Sequence, residues 1–341
     1  MDNYEAFRPL VHFTPATNWI NDPNGLVYCD GEYHMFYQYH PYSTLWGPMH
    51  WGHAVSPDLV NWEERPIALY PDQHGQAFSG SAVIDHHNTT GFGIGVMVAL
   101  FTQHQAEGHR QTQSLAFSPD RGHGWVVYPD NPLIQPLNQM RDFRDPKVFW
   151  YGTAEAGHWV MVLAAGGMIL FYRSPNLLDW TPCGAFGLGE APGVGVWETP
   201  DLVHLPVDGG EERRWVLIVS VGGGAPAGGS GTVYFVGGFD GESFTSSNPK
   251  GTLLWLDYGA DAYAAQSWSN EPQGRCLIIQ WMNNWDYARL IPTERWRGAM
   301  TMPRELGLVT TRDGLRLQQQ FPAEVTSLRG VRHAIPTTSL S

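Results

Sequence analysis

A motif that recurs about every 60 residues constrains the fold of this chain more than any other feature. Ser56-Pro57-Asp58, followed by Trp62, returns as Ser118-Pro119-Asp120 with Trp125 and as Ser174-Pro175-Asn176 with Trp180, and Asp240-Gly241 is a weaker fourth copy. Counted from Asp58, the successive spacings are 62, 56 and 64 residues. Self-similarity at such a period is typical of a repeated supersecondary unit.

Each period also contains a strand-like run and, one step earlier, a polar residue beside an aromatic or turn residue. The runs cover residues 33–39, 96–102, 159–164, 215–221 and 276–281. The polar residues are Asp22, Ser79, Asp145, Glu198 and Asp261, at intervals of 57, 66, 53 and 63. Five units in phase, with almost no helical periodicity, predict an all-β fold of short strands and tight turns.

Radial repetition of four-stranded sheets produces a β-propeller, whose innermost strands line a central channel. We therefore predict a five-bladed β-propeller over residues 1–320, with the segment from Met300 closing the last blade. The in-phase polar residues should lie on the innermost strands and converge on one mouth of the channel. Residues 321–341 should form a linker or docking tail.

Composition limits the partners. Thirty-three acidic and 20 basic residues give a net charge of -13, which disfavours nucleic acid and anionic membranes and suits a neutral ligand. Three widely spaced cysteines, Cys29, Cys183 and Cys276, predict neither a disulfide framework nor a metal site. Residues 1–15 lack the apolar core of a signal peptide, so a cytoplasmic protein, or the mature form of a secreted one, is expected.

Three carboxylates on three different blades suggest glycoside hydrolysis, in which one group attacks or activates water and another protonates the leaving oxygen. Asp22 suits the nucleophile, because Pro23 and the following Asn-Gly should form a rigid turn and Asn21 can orient the carboxylate. Glu198 suits the acid/base, because apolar neighbours such as Trp197 favour a protonated carboxyl. For Asp145 we expect an ionised ligand for hydroxyl groups, held by the adjacent Arg144. Taken alone, each short motif is better explained as a turn, a surface ion pair or a solvated strand end, and only their combination favours catalysis.

No cofactor or metal is expected. The 14 histidines include the pair His50 and His53, but neither an HExxH motif nor a Cys/His cluster occurs. The glycine-rich stretch 222–229 lacks the Lys-Ser/Thr of a phosphate-binding loop.

Ordered motifs over about residues 8–325 resemble glycoside hydrolase family 32, the invertases, levanases and inulinases. These motifs are Trp19-Ile20-Asn21-Asp22-Pro23-Asn24-Gly25, Trp51-Gly52-His53, Phe78-Ser79-Gly80-Ser81, Arg144-Asp145-Pro146, Trp197-Glu198-Thr199-Pro200-Asp201, Trp281-Met282-Asn283-Asn284-Trp285, and Trp296-Arg297-Gly298 with Pro303-Arg304-Glu305-Leu306.

The resemblance implies a retaining mechanism on terminal β-D-fructofuranosyl units of sucrose, inulin, levan or fructo-oligosaccharides. Asp22 would be the nucleophile, Glu198 the acid/base and Asp145 the transition-state stabiliser. The implied fructose pocket is formed by Asn21, Gln38, Trp46, Phe78, Ser79, Arg144 and Trp285. Fructosyl transfer, an inverting hydrolase and a non-catalytic carbohydrate-binding propeller are the alternatives.

Two features depart from the family pattern. Thr199 stands beside Glu198 where members often have cysteine, so we expect a shifted pH profile rather than lost activity. The C-terminal β-sandwich usual in the family has no counterpart in this sequence, so we expect the propeller without it.

Overall fold

A computed structural model describes residues 7–137 and 140–333, and it has the predicted architecture of five β-sheets arranged as a propeller. Blade 1 consists of β1 (Asn18–Cys29), β2 (Glu32–His40), β3 (His50–Ser56) and β4 (Glu63–Leu69). Blade 2 consists of β5 (Gln76–Asp85), β6 (Val96–Gln105), β7 (Arg110–Ser118) and β8 (Val126–Val127). Blade 3 consists of β9 (Phe143–Gly152), β10 (Gly157–Ala165), β11 (Ile169–Ser174) and β12 (Thr181–Phe186).

Blade 4 has five strands: β13 (Trp197–Pro206), β14 (Arg213–Val221), β15 (Gly231–Phe239), β16 (Phe244–Ser246) and β17 (Leu254–Trp255). Blade 5 consists of β18 (Tyr263–Ser267), β19 (Leu277–Trp281), β21 (Arg304–Thr311) and β22 (Gly314–Gln320). In the segment between β19 and β21, the short strand β20 (Trp296–Arg297) pairs in parallel with β1 of blade 1. The segment after Met300 therefore completes blade 5 as predicted, while β20 links the end of the repeat to its beginning.

The recurring Ser-Pro-Asp motif marks the end of the third strand in blades 1 to 3. Ser56, Ser118 and Ser174 are the last residues of β3, β7 and β11. In blade 1, Asp58 Oδ1 accepts hydrogen bonds from the backbone N–H groups of residues 60 and 61, at 3.0 and 2.8 Å. This local bonding to the backbone explains why a short polar side chain recurs after the third strand of these three blades.

The core lies between the blades, whose central strands are buried on both faces. Leu217, Val219 and Val221 of β14, for example, belong to one apolar cluster with residues of blade 3 such as Phe171. Trp19, Trp51, Trp197 and Trp281 are fully buried. These four tryptophans therefore serve packing in the core.

The innermost strand of every blade contains a one-residue bulge at the same height. In β1, Ile20 pairs with Tyr39 and Pro23 with Tyr37, so three steps on the inner strand face two on its neighbour. The same shift occurs between Ala77 and Gly80, Arg144 and Lys147, Glu198 and Asp201, and Tyr263 and Gln266. Such a bulge bends the strand and re-aims one side chain, which is how each blade directs polar groups into the channel.

This bulge corrects one prediction. The sequence around Asp22-Pro23 was expected to form a rigid turn, but the chain continues as β1 to Cys29 and reverses only after it. Proline is compatible with a strand at a bulge, where no ladder N–H is needed. Gly25 follows at φ +57°, and a Cβ there would lie 2.6 Å from the Trp51 ring, so only glycine suits the position.

Below the mouth, a buried ion pair ties three inner strands together. Lys147 Nζ of β9 donates to Asp201 Oδ2 of β13 at 2.9 Å, and to the carbonyl and hydroxyl oxygens of Ser267 of β18 at 2.7 and 3.0 Å. Lys147 and Asp201 are both buried. The pair therefore fixes blades 3, 4 and 5 relative to one another.

After β22, a 3₁₀ helix covers Ala323–Leu328, and Glu324 forms an ion pair with Arg275 at 2.8 Å. The rest of the predicted tail, residues 334–341, lies outside the described residues. Within the described ranges, no helix has the length and apolar character needed to cross a bilayer.

Candidate active site

A cavity of about 460 Å³ at the channel mouth contains all ten residues that the sequence singled out. These are Asn21, Asp22, Gln38, Trp46, Phe78, Ser79, Arg144, Asp145, Glu198 and Trp285. The volume falls within the range of pockets for small ligands. Five further residues complete the lining: His104, His109, Gln111, Arg141 and Asp142.

Asp22 is held by hydrogen bonds from two neighbouring blade segments. The Ser79 hydroxyl donates to its Oδ2 at 2.8 Å, and Asn21 Nδ2 donates to its Oδ1 at 3.1 Å. Asn21 is itself oriented by the Trp19 indole N–H, which donates to its amide oxygen at 2.8 Å. Burial and the nearby Glu198 nevertheless raise the pKa of Asp22 from 3.8 to about 6.

Asp145 is the most enclosed of the three carboxylates, only 5% exposed. Its Oδ2 accepts the backbone N–H of Thr199 at 2.9 Å, and its own N–H donates to Thr102 Oγ1 at 2.9 Å. The residue lies in the β9 bulge at φ +64°, a left-handed conformation that aspartate tolerates better than most residues. Both bonds fix its carboxylate at the base of the cavity.

The partner of Arg144 differs from the one expected. Its Nη2 lies 2.8 Å from Glu198 Oε1 and its Nη1 2.6 Å from Asp142 Oδ1, whereas its Nε is 3.9 Å from Asp145. Burial therefore dominates at Asp145 and, with Asp22 and Glu198 as further causes, raises its pKa to about 7 despite Arg144. Arg144 lowers the pKa of Asp145 in the expected direction, but burial outweighs this effect, and the guanidinium bonds mainly to Glu198 of the next blade.

Glu198 is more accessible than Asp145, with its side chain 24% exposed. Besides Arg144, the Tyr263 hydroxyl donates a hydrogen bond to its Oε2. Trp197 does not flank the carboxylate as expected, because it is fully buried and packs on Phe235. Successive side chains of a strand point to opposite faces, so the sequence neighbour of Glu198 faces the core.

Aromatic rings form one wall of the cavity. Trp285 stacks on Trp19 with ring centroids 6.1 Å apart, and its backbone N–H donates to Ser230 Oγ at 3.2 Å. On another side, Phe78 stacks on His104 at 4.5 Å. Flat apolar faces beside polar groups suit the alternating apolar and hydroxylated faces of a sugar.

Sequence reasoning missed Tyr263 and chose Asp261 instead as the in-phase residue of blade 5. Asp261 precedes β18 and bonds to the exposed Tyr287, whereas Tyr263, the first residue of β18, reaches Glu198. The signal was available two residues further on, in the same segment. Gln111 was also missed, and its Oε1 accepts from Arg144 Nη1 at 3.3 Å.

The described part of the chain contains no group of three or more His, Cys, Asp or Glu side chains that could hold a metal ion. The cavity is lined by four carboxyl groups, those of Asp22, Asp142, Asp145 and Glu198, and by the buried guanidinium of Arg144. The phenol of Tyr263 bonds to Glu198. Burial first, and repulsion between the carboxylates second, raises the pKa of Asp22 and of Asp145, a pattern that is common at acid–base sites.

Comparison with known proteins gives consistent matches. Residues 12–320 match the model of the glycosyl hydrolases family 32 N-terminal domain. A levanase of Bacillus subtilis (strain 168) is 54% identical over 332 residues, covering 96% of this chain and 48% of the levanase. The chain thus spans about half the length of that relative.

Solved structures share the architecture. The crystal structure of an exo-inulinase from Aspergillus awamori superposes with a TM-score of 0.86 at 41% identity, covering 93% of this chain and 68% of that one. A fructofuranosidase from Schwanniomyces occidentalis complexed with fructose gives a TM-score of 0.86 at 36% identity, covering 95% and 65%.

Proposed function

Because this chain belongs to glycosyl hydrolase family 32, we propose that it is a retaining β-fructofuranosidase that releases terminal fructosyl units from fructans and sucrose. The observation that carries the proposal is the convergence of Asp22, Asp145 and Glu198, with Arg144, in one cavity of about 460 Å³. Relatives named levanase and exo-inulinase support a fructan substrate.

Asp22 is assigned as the nucleophile. Hydrogen bonds from Ser79 and Asn21 fix both of its oxygens, which positions the carboxylate for attack. In the first step, one Asp22 oxygen forms a bond to the anomeric carbon of the fructosyl unit while the bond to the leaving oxygen breaks. The product is a fructosyl ester of Asp22.

Glu198 is assigned as the acid/base, because its side chain is 24% exposed and can meet both the leaving group and incoming water. It gives its proton to the leaving oxygen in the first step. In the second step, it takes a proton from water, whose oxygen bonds to the anomeric carbon as Asp22 departs. Tyr263 and Arg144 hold its carboxylate between the two steps.

Asp145 is assigned to substrate binding and transition-state stabilisation. Its enclosed position, with one oxygen bonded to the Thr199 N–H, leaves no path for a leaving group but suits contact with ring hydroxyls. When ionised, it also stabilises the positive charge that develops on the sugar ring.

The test is fructose release from sucrose, inulin and levan by the wild type and by Asp22→Asn, Glu198→Gln and Asp313→Asn. Asp313 is exposed in the turn between β21 and β22, so its variant is the matched control. We expect Asp22→Asn to abolish release and Glu198→Gln to reduce it strongly, with the control unchanged. Equal activity in Asp22→Asn and wild type would contradict the assignment.

With sucrose, the ratio of free fructose to free glucose distinguishes hydrolysis from transfer. Hydrolysis gives equal amounts, whereas transfer to a sugar hydroxyl leaves fructose in deficit. If folded wild type released no sugar from any of the three substrates, the proposed activity would be refuted.

A further inference from the structure

Two exposed tyrosines stand on the same face of the propeller as the cavity mouth. Tyr42 is 76% exposed and Tyr70 58% exposed, and both contact the ring of the buried His50, with centroids 5.7 and 5.6 Å away. We call Tyr42, His50 and Tyr70 the tyrosine row. Clustered exposed aromatic rings on a soluble surface are typical of ligand-binding sites.

Strand topology places the row beside the cavity. Tyr42 follows the end of β2, His50 begins β3 and Tyr70 follows the end of β4. Because these strands are antiparallel neighbours, the three positions share one edge of blade 1. Trp19 of β1, three residues before Asp22, pairs with His40 at that same edge. Because β1 is the innermost strand and β4 the outermost of this sheet, Tyr42, His50 and Tyr70 lie at increasing distance from the cavity.

The loop between β2 and β3 joins the row to the cavity. Trp46 of this loop lines the cavity, and its neighbour Leu45 is exposed. An apolar path thus leads from the fructose pocket to Tyr42.

The row is rigid. His50 Nδ1 lies 3.0 Å from the Pro48 carbonyl oxygen, and His40, whose ring also contacts Tyr42 at 6.0 Å, lies 2.7 Å from the Leu45 carbonyl oxygen. The tyrosine rings therefore meet the anchored histidines edge-on and leave their faces available for a ligand.

The charge pattern indicates a neutral ligand. Between Glu32 and Asp58 the sequence contains no Asp, Glu, Lys or Arg, although the whole chain has 53 such residues. The uncharged stretch that contains Tyr42 and His50 disfavours nucleic acid and acidic peptides, and exposed aromatic rings suit a neutral sugar chain.

We infer that Tyr42 and Tyr70 bind the distal part of a fructan chain whose terminal unit occupies the cavity. This inference rests on the proposed function and extends it to substrate length. The row binds long fructans and is out of contact with sucrose, so it raises activity selectively on polymers.

The experiment compares Tyr42→Ala, Tyr70→Ala and the double variant with Tyr42→Phe and Tyr70→Phe. For each alanine variant we expect kcat/KM on long-chain levan or inulin to fall about two- to tenfold, the effect of losing one aromatic contact. This loss should arise from a higher KM, and the kinetics on sucrose should not change. The phenylalanine variants should retain wild-type values. Tyr258→Ala, an exposed tyrosine outside the row, is the matched control.

Binding is measured separately in an Asp22→Asn background, by retardation of the native protein in gels containing levan or inulin. Tyr42→Ala and Tyr70→Ala should reduce retardation even though no turnover occurs. If wild type hydrolyses fructans but the alanine variants match it in kinetics and retardation, the inference is wrong and the proposed function stands.

Two other results would also overturn the inference. An equal loss on sucrose and on polymer would assign the tyrosines to the cavity itself. A change in oligomeric state on gel filtration would make the row a contact between copies of this chain. Absence of wild-type activity on every substrate would instead refute the proposed function.

Discussion

Replacing Asp22 by asparagine should stabilise the folded protein while removing its catalysis. Burial and Glu198 raise the pKa of Asp22 from 3.8 to about 6, which means that the fold disfavours the charged carboxylate. Each pKa unit corresponds to about 1.4 kcal/mol, so a shift of roughly two units costs the ionised native state about 3 kcal/mol. Asparagine removes this cost, and the Ser79 hydroxyl can accept from the new amide as readily as it donated to the carboxylate.

The sign of the effect depends on pH. Below pH 3.8 Asp22 is protonated in both the folded and unfolded states, so the substitution gains nothing. Above about pH 6 the folded state carries the charge and the gain is complete. Because Asp22 also raises the pKa of Asp145, the variant should move that second titration to lower pH as well.

The assay is urea unfolding followed by tryptophan fluorescence at pH 4 and pH 7.5, with Asp313→Asn as the control. We expect a gain in unfolding free energy of about 1–3 kcal/mol for Asp22→Asn at pH 7.5 and almost none at pH 4. No gain at pH 7.5, or an equal gain at both pH values, would refute the electrostatic account of the cavity.

Three further predictions concern His34, Lys147 and Thr199, which do not line the cavity. Burial, with His123 and Arg65 as further causes, lowers the pKa of His34 from 6.5 to about 4, so the folded protein loses stability as the pH falls between these values. His34→Gln should reduce this loss, measured as the dependence of the unfolding temperature on pH. An unchanged dependence would contradict the prediction. Lys147→Met leaves Asp201 buried without its cation and should cost about 3–5 kcal/mol, measured as a lower urea midpoint; a midpoint within error of wild type would show that the pair is dispensable. Thr199 has a buried hydroxyl without a hydrogen-bond partner among the described residues, so Thr199→Val should raise stability by about 1 kcal/mol and keep fructose release, whereas destabilisation would reveal a partner for that hydroxyl.

The propeller could be predicted because its signal is repeated. A motif returning about every 60 residues, with apolar runs in phase, determines both the number of blades and which strand of each is innermost. The ten residues selected as the site all line one cavity, because the same phase relation brings Asp22, Asp145 and Glu198 to the same height.

The pairing within the site could not be predicted, because it depends on contacts between blades. Arg144 was assigned to its sequence neighbour Asp145, yet the strand geometry aims it at Glu198 of the next blade. Trp197 was expected beside the Glu198 carboxylate but faces the core, since strand side chains alternate. The bulges were not predicted either, although proline within three inner strands, at Pro23, Pro146 and Pro200, was a signal for them.

Thr199 shows a further limit of sequence reasoning. Its side chain drew attention because of its difference from the family pattern, but the contact it makes to Asp145 comes from its backbone N–H. A backbone donor has no signature in the residue type. The expected shift in pH profile therefore remains a prediction.

The assignment of Asp22 as nucleophile is tested most directly by trapping the covalent intermediate. Glu198→Gln is incubated with β-fructosyl fluoride, whose leaving group needs no proton, so the ester can form while its hydrolysis lacks a base. Mass spectrometry of the intact protein, followed by peptide mapping, should show a gain of one fructosyl residue on the peptide that contains Asp22. A fructosyl residue on Asp145, or turnover of the fluoride to α-fructose with no adduct, would contradict the double-displacement mechanism.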